Sequence, residues 1–581
     1  MDIDANNHAI SRRSFMSLSA LGAGVFAATG LAGCAPRSAE EEASAKAASE
    51  SGTSPDWLGE NVIIEESRIT ETRTTEVLII GAGNGGMSAA ATAATLGIDF
   101  VVCEKGTTVQ STRGWVGGIN TKWHKEANIE IDEGKVLNEL TRYASGRCDQ
   151  SVWRTWIRES AATIEFLHEA LTPYGLTLYL DTEGYDHATG GTDFFVPPIQ
   201  HMWYDPNVKA PLCVAGPVSP LQRNNALELF INDKGYTIDY GHKLVQLIRE
   251  DGGRVQGAVF ETEAGYVKIQ AEKGILLATG GYAANPAMVQ ALNFTTPSCV
   301  TMGCMMPNCT GDGIKAALHI GATKDEQSAA MIFDRGSVAP GVDCGYIDSG
   351  GELAFPVYGE AGDGLIMGSQ PFMKVNRLGK RFFNESAPYD WCTFAASKQP
   401  GGVWCSVFDA KAPEDVQRFS VVGCAKSGTL KLQMGPIEEV FKDVMEQGVL
   451  ISANTLEELA EKLGLPVDDF IAEVERYNTF FDAQKDEDFG KEAYRLSALR
   501  TPPFYGFWNG GQFLTTLDGL CINSDMQVLD DTHTVIDGLY AAGDCSGSLY
   551  AGNYPEYLVG NASGRTLTFA RHAVLHMTGN V

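Results

Sequence analysis

Three glycines and one acid carry the first recognisable chemistry in this chain. Gly81, Gly83 and Gly86 stand at the spacing that brings a backbone close to a pyrophosphate, and Glu104 follows about twenty residues later. Glycines remove the side chains that would hold an anion away, and the N–H groups opening a helix add donors and a positive dipole end. The acid stands where it can accept the hydroxyls of a ribose. Asn84 and Gly85 complete the loop. The chemistry implied is dinucleotide binding.

The elements that must hold these residues surround them. Residues 77–80 are an apolar run suited to a buried strand, an alanine-rich helix follows, and residues 100–103 form a second apolar run ending at Glu104. A bare GxGxxG is a weak signal, but here strand, turn, helix, second strand and acid occur together. Other segments repeat the strand-then-glycine theme. Residues 106–120 are irregular and small-residue-rich, ending in Gly117-Gly118-Ile119-Asn120, and can lie against a flat ligand. Residues 274–278 read as a buried strand running into Thr279-Gly280-Gly281, and residues 535–542 as another ending in Gly543-Asp544. Gly560 and Asn561 open a terminal helix that continues through Arg571.

Between these, the periodicity predicts a helix over 151–171, a β-meander over 237–269, and helices over 437–447, 456–463 and 468–483, with Thr455 and Glu458 as a capping box. Residues 174–220 carry Tyr179, Tyr185, Phe194, Phe195, Trp203 and Tyr204 among Gly and Pro without period. So many aromatics favour a folded loop over a solvated one, bordering a pocket or simply packed. His187 and His201 within it have no third ligand at metal spacing.

The chain has 581 residues, enough for two or three domains, and its net charge of -29 argues against nucleic acid and anionic membrane surfaces. Its start reads as an address. Arg12-Arg13 with an apolar segment over 18–31 resembles a twin-arginine export signal, and Leu31-Ala32-Gly33-Cys34 a lipobox, which makes Cys34 a candidate lipid anchor. The expected location is periplasmic or membrane-anchored. An Ala-, Ser- and Glu-rich tether follows. The cysteines show no CxxC, so neither zinc nor an iron–sulfur cluster is indicated, and the spacing of Cys299, Cys304 and Cys309 leaves a disulfide open.

Taken together, these segments resemble the flavoproteins of the fumarate reductase and succinate dehydrogenase family, especially exported bacterial reductases. The resemblance runs from Glu76 to His576 and is carried by GAGNGG with Glu104, ATGGYAANP at 278–286, GKRFFNES at 379–386 and GLYAAGD at 538–544. It implies an α/β chain, a Rossmann-like FAD-binding domain with an inserted α+β capping domain. The divisions are a signal over 1–34, a linker over 35–71, FAD-binding segments over 72–329 and 489–581, and the cap over 330–488. Gly81, Gly83, Asn84, Gly85, Gly86, Glu104, Gly117, Gly118, Gly280, Asp544, Gly560 and Asn561 are then the cofactor residues, the last two at a helix N-terminus aimed at the flavin.

The departures from that family decide the substrate. Covalent-flavin members carry a histidine where this chain has Ser111-Thr112-Arg113, so FAD is expected without a covalent bond. Tyr389 occupies the slot of the proton-donating arginine, Leu514-Thr515-Thr516 replaces paired histidines, and Tyr554 and Tyr557 lie where a substrate-binding arginine is expected. Desolvating two carboxylates without arginine forks is costly, so fumarate is an unfavourable substrate. The expected reaction is reduction of an activated alkene, an enoate or enone, by hydride transfer from flavin N5 with Tyr389 as proton donor. A phenol can donate while neutral, its unperturbed pKa being about 10. Arg381 is expected to structure its own turn, and Arg565 to meet FAD or solvent. The alternatives are a ketosteroid-type dehydrogenase working oxidatively and a non-catalytic flavin electron carrier. Electrons are expected from a separate donor, a membrane cytochrome or another flavoprotein.

Overall fold

Four parallel strands bring their carboxyl ends to one line. In the strand Ile69–Ile80, Val77 lies opposite Phe100 and Ile80 opposite Cys103 of the strand Phe100–Glu104. On its other side Ile80 lies opposite Leu277 of the strand Gly265–Leu277, which in turn pairs with Ala541 of the strand Val535–Ala541. Glycine turns and acids that follow these strands, hundreds of residues apart in sequence, therefore meet along one crevice, as in open parallel sheets generally. Val77, Leu78 and Ile79 are fully buried because both faces of the sheet are covered. The helices Asn84–Leu96 and Asn561–Met577 pack against each other, and Gln150–Leu171 packs on the second of them.

The computed structural model describes residues 56–110, 114–182, 195–207, 220–250, 252–304, 306–356, 366–421 and 436–581. Within them residues 60–581 form one unit. The signal segment with Cys34, the Ser111-Thr112-Arg113 segment, Tyr185, His187 and Phe194 lie outside the described residues.

The parallel strands belong to an eight-stranded sheet that also includes Ile238–Tyr240, Gln527–Leu529 and the hairpin Lys243–Arg249 with Val255–Thr262. A six-stranded sheet is centred on Phe504–Thr516, which pairs with Val300–Met302, Ala330–Val338, Trp404–Asp409 and Ile451–Ala453. The helices Leu456–Leu463 and Val467–Ala483 cover one side of it through Leu459, Leu463, Phe470 and Val474. The Thr455 hydroxyl accepts the Glu458 N–H at 3.1 Å, whereas the Glu458 carboxylate reaches Asn454 N–H, one residue before the cap.

Three expectations change in detail. The runs around 267–269 and 274–278 are one thirteen-residue strand, because the residues between them also pair with the strand Ile69–Ile80. The helix over 437–447 is two short helices, Ile437–Val440 and Lys442–Glu446, broken at Phe441. Part of the aromatic segment over 174–220 is strand: Thr177–Leu180 and Gln200–Tyr204 pair with each other and with Val116–Gly117. Its aromatics Tyr179 and Tyr204 pack with Trp115, Met202 and Val559.

Candidate active site

The turn after the first strand can be made only by glycine at two places. Gly81 has φ +104°, and a Cβ there would lie 2.5 Å from the Ala278 carbonyl oxygen; a Cβ on Gly86 would lie 1.7 Å from the Gly81 oxygen. Gly83 caps the helix Asn84–Leu96 without a side chain, and Gly81, Gly83, Asn84 and Gly85 line a cavity at the helix N-terminus. Glu104 lines it too, buried, with one carboxylate oxygen accepting Ala82 N–H and the other Gly106 N–H, each at 2.8 Å. Each of those oxygens keeps a second lone pair for a hydroxyl donor. Gly280 and Asp544 close the far wall. Gly280 has φ +72°, and a Cβ there would press within 2.7 Å of Cys309 Sγ. Asp544 accepts from Thr515 Oγ1 at 2.9 Å and faces the buried guanidinium of Arg565 at 3.3 Å. Arg565 thus meets Asp544 and the backbone of Gly543 rather than solvent. A backbone-lined anion turn opposite a ribose-accepting acid fits an adenine dinucleotide.

Sequence reasoning missed a buried cation here. Arg223, on the helix Pro220–Asp233, donates to Asn84 Oδ1 at 2.5 Å, and Asn224 donates to the same oxygen at 3.1 Å. Burial lowers the Arg223 pKa to about 10, which leaves it charged at neutral pH beside the helix N-terminus. Nothing in the local sequence pairs position 223 with position 84. Lys105 was closer to hand, following Glu104 directly; it lines the cavity and binds Asp312 at 2.8 Å.

Gly117, Gly118, Gly560 and Asn561 sit elsewhere, where the terminal helix begins. Gly117 N–H donates to Gly560 O at 2.7 Å, and a Cβ on either glycine would collide with the other's backbone. Gly118 is small because Ile164 Cδ1 occupies the space a Cβ would need. Asn561 is buried; its amide donates to Pro555 O at 3.1 Å and Leu558 O at 2.7 Å, and it accepts from the Tyr550 hydroxyl at 2.6 Å. It fixes the turn that carries Tyr554 and Tyr557.

Those tyrosines meet Tyr389. The helix Tyr389–Ala396 starts against the 554–557 turn, and the two are joined reciprocally. Glu556 Oε2 accepts Tyr389 N–H at 2.5 Å, Asp390 Oδ2 accepts Tyr554 N–H at 3.0 Å, and the Tyr557 hydroxyl donates to Ser386 O at 2.9 Å. The Tyr389 and Tyr554 rings lie nearly parallel, 6.4 Å between centroids and 18° between planes, and Phe333 meets Tyr389 edge-on at 4.9 Å. Tyr557 also adjoins Arg495, and burial raises its phenol pKa. Its hydroxyl proton is committed to a backbone carbonyl, which suits holding the turn rather than giving a proton away.

Burial pushes the surrounding carboxyls toward their neutral forms. It raises the Asp390 pKa to about 7 against the pull of Tyr554 N–H, and raises Glu556 well above the usual range, with Asp334 adding to both. Burial raises Asp334 as well. Arg381 lies apart, its buried guanidinium forked onto Glu385 and Asp486 at 2.8 Å each. The cysteines Cys299, Cys304 and Cys309 are thiols, without a disulfide among them.

A profile of the FAD binding domain family matches residues 76–557. The chain is 27% identical over 512 residues to the vinyl phenol reductase of Lactiplantibacillus plantarum, covering 86% of this chain and 96% of that protein. It is 26% identical to the NADH:acrylate oxidoreductase of Vibrio harveyi, again over 86% of this chain but 50% of the relative. Among solved structures, the 3-ketosteroid Δ1-dehydrogenase of Sterolibacterium denitrificans superposes with a TM-score of 0.65 at 20% identity, over 88% of this chain and 100% of that one. The last likeness is one of fold.

Proposed function

Because the chain belongs to the FAD binding domain family and binds FAD, we propose that it is a reductase of an activated carbon–carbon double bond in a small, uncharged or weakly charged, planar molecule. One observation carries this reading: Tyr389 and Tyr554 are stacked, buried phenols docked through Asp390 and Glu556 in a region where burial raises carboxyl pKa values. A dicarboxylate placed there would meet the buried carboxyls of Asp334, Asp390 and Glu556 with Arg335 as the cation beside them, a poorer match than an uncharged or singly charged molecule. The names of the two relatives, a vinyl phenol reductase and an acrylate oxidoreductase, support alkene reduction.

When bound and reduced, FAD supplies a hydride to one alkene carbon. The residues do the rest. Tyr389 gives a proton to the neighbouring carbon, so the double bond is saturated by two electrons and two hydrogens. Tyr554 holds the flat substrate against Tyr389, and Tyr557 and Asn561 hold the turn that presents Tyr554. The helix N-terminus would receive the diphosphate, with Arg223 positioning Asn84 beside it, while Glu104 takes the ribose. We propose further that FAD is held without a covalent bond, that the chain is exported and anchored at Cys34, and that a separate redox protein supplies the electrons.

The test uses the purified yellow protein with reduced viologen and a panel of enoates, enones and vinyl phenols. Tyr389→Phe is expected to lose at least about 100-fold in turnover with the flavin spectrum intact. An unchanged rate would remove Tyr389 from the mechanism. Turnover only with an oxidised dye would assign the ketosteroid-type direction instead, and stoichiometric flavin without turnover in either direction would leave an electron carrier.

A further inference from the structure

A fourth tyrosine faces the same cluster from a helix that no motif singled out. Tyr143 is the last residue of the amphipathic helix Glu133–Tyr143, whose apolar side, Val136 and Leu140, is buried. The tyrosine is 3% exposed, yet its hydroxyl has no hydrogen-bond partner among the described residues. A buried phenol ordinarily finds one, and leaving it unsatisfied costs as much as a hydrogen bond is worth. Trp391 flanks its ring at 6.1 Å, and the Arg142 guanidinium lies 5.2 Å from its centroid. The backbone is fixed, because Asn553 donates to the Tyr143 carbonyl at 3.4 Å.

The groups around the hydroxyl identify the site it belongs to. Trp391 follows Asp390 on the Tyr389 helix, and Asn553 precedes Tyr554. Burial is the main influence on the Tyr143 phenol, followed by Asp390, Tyr557 and Glu556, the groups that dock Tyr389 and Tyr554. The chain therefore places a desolvated donor beside the tyrosine cluster. Its natural complement is an acceptor that does not bring a negative charge among those acids.

We propose that Tyr143 is a specificity-determining residue that hydrogen-bonds a neutral oxygen on the substrate, a phenolic hydroxyl or ring carbonyl, at the end of the molecule away from the alkene. The proposal rests on the alkene-reductase reading and narrows it to oxygen-bearing planar substrates. It also explains why a polar hydroxyl is kept where phenylalanine would fill the same space.

The experiment pairs two probes that differ by that oxygen, 4-hydroxystyrene and styrene, on the FAD-loaded wild type and Tyr143→Phe. Binding is read from the perturbation of the flavin spectrum, turnover from viologen oxidation, and stability from thermal unfolding without probe. The expected result is a loss of roughly tenfold or more in Tyr143→Phe affinity for 4-hydroxystyrene, no change for styrene, and an unfolding temperature no lower than wild type. Equal affinities of the two proteins for 4-hydroxystyrene would overturn the role of Tyr143 while leaving the reductase reading intact. A lowered unfolding temperature in probe-free Tyr143→Phe would show that the hydroxyl already serves the fold, and would overturn it as well. If the wild type binds neither probe, the role of Tyr143 in holding a substrate oxygen is overturned, whereas the reductase reading falls only if the wild type also fails to reduce every enoate, enone and vinyl phenol of the panel.

Discussion

At the scale of single residues, Asp390 is a buried carboxyl whose titration can be tested without a substrate. Its carboxyl is buried and keeps its proton up to about pH 7, while an aspartate in the unfolded chain loses it near pH 4. Between those values the folded state binds more protons than the unfolded one, so this residue's contribution to stability falls as pH rises. Asp390→Asn should keep an acceptor for Tyr554 N–H and remove the titration. Its unfolding temperature is expected to match wild type below about pH 4 and to exceed it by a margin that grows up to about pH 7; a difference that does not vary with pH would show that Asp390 is not the titrating group. The sequence made Tyr389 legible, because it stands in a motif and can be counted from Arg381. Asp390 and Glu556 were not legible, since their contacts span 164 and 167 residues and no local pattern records them. Arg223, bonded across 139 residues to Asn84, escaped for the same reason.

At the scale of elements, the strand–turn–helix at 69–96 separates what glycine does for the fold from what it does for the ligand. Gly86 is wedged against the Gly81 oxygen, whereas a Cβ on Gly83 would have only the Gln110 oxygen near it, at 3.8 Å. Gly83 also has φ -82°, which any residue adopts. Gly86→Ala is therefore expected to cost at least about 3 kcal/mol of stability and to yield colourless protein. Gly83→Ala should fold with nearly unchanged stability yet bind FAD more weakly, because its methyl group lies where the diphosphate approaches. Thermal unfolding and flavin content of the two variants check this, and a stable, fully yellow Gly83→Ala would move the diphosphate elsewhere. This element was readable because its spacing is local. The centre of the second sheet, Phe504–Thr516, was not: all thirteen residues are buried, so the alternation that marks a strand is absent. Gly506, Gly510 and Gly511 interrupt it where Leu463, Thr301 and Ile332 press in, and such contacts leave no trace in the pattern around them.

At the scale of the whole molecule, the parallel sheet gathers the dinucleotide residues while the reciprocal Asp390 and Glu556 contacts bring the second sheet's helix onto the terminal turn. Both are long-range arrangements; the resemblance supplied the dinucleotide residues, and the Asp390 and Glu556 contacts came only with the structure. Charge is the whole-molecule property the sequence gives outright, and it bears on how electrons reach the flavin. A net charge of -29 attracts cationic donors and repels anionic ones over distances that salt cuts to about 10 Å at 0.1 M. Reduced methyl viologen, a cation, should therefore reduce the flavin faster at low salt, slowing by roughly three- to tenfold as ionic strength rises from about 0.01 to 0.3 M. A reduced viologen carrying two sulfonates is an anion and should respond in the opposite sense. Stopped-flow rates of flavin reduction with the two donors make the comparison at equal driving force. If both rates fall together, salt is acting on the fold and not on the encounter; if neither responds, the acidic surface lies away from the flavin's electron entry. Opposite slopes would place the acidic surface beside the flavin's electron entry.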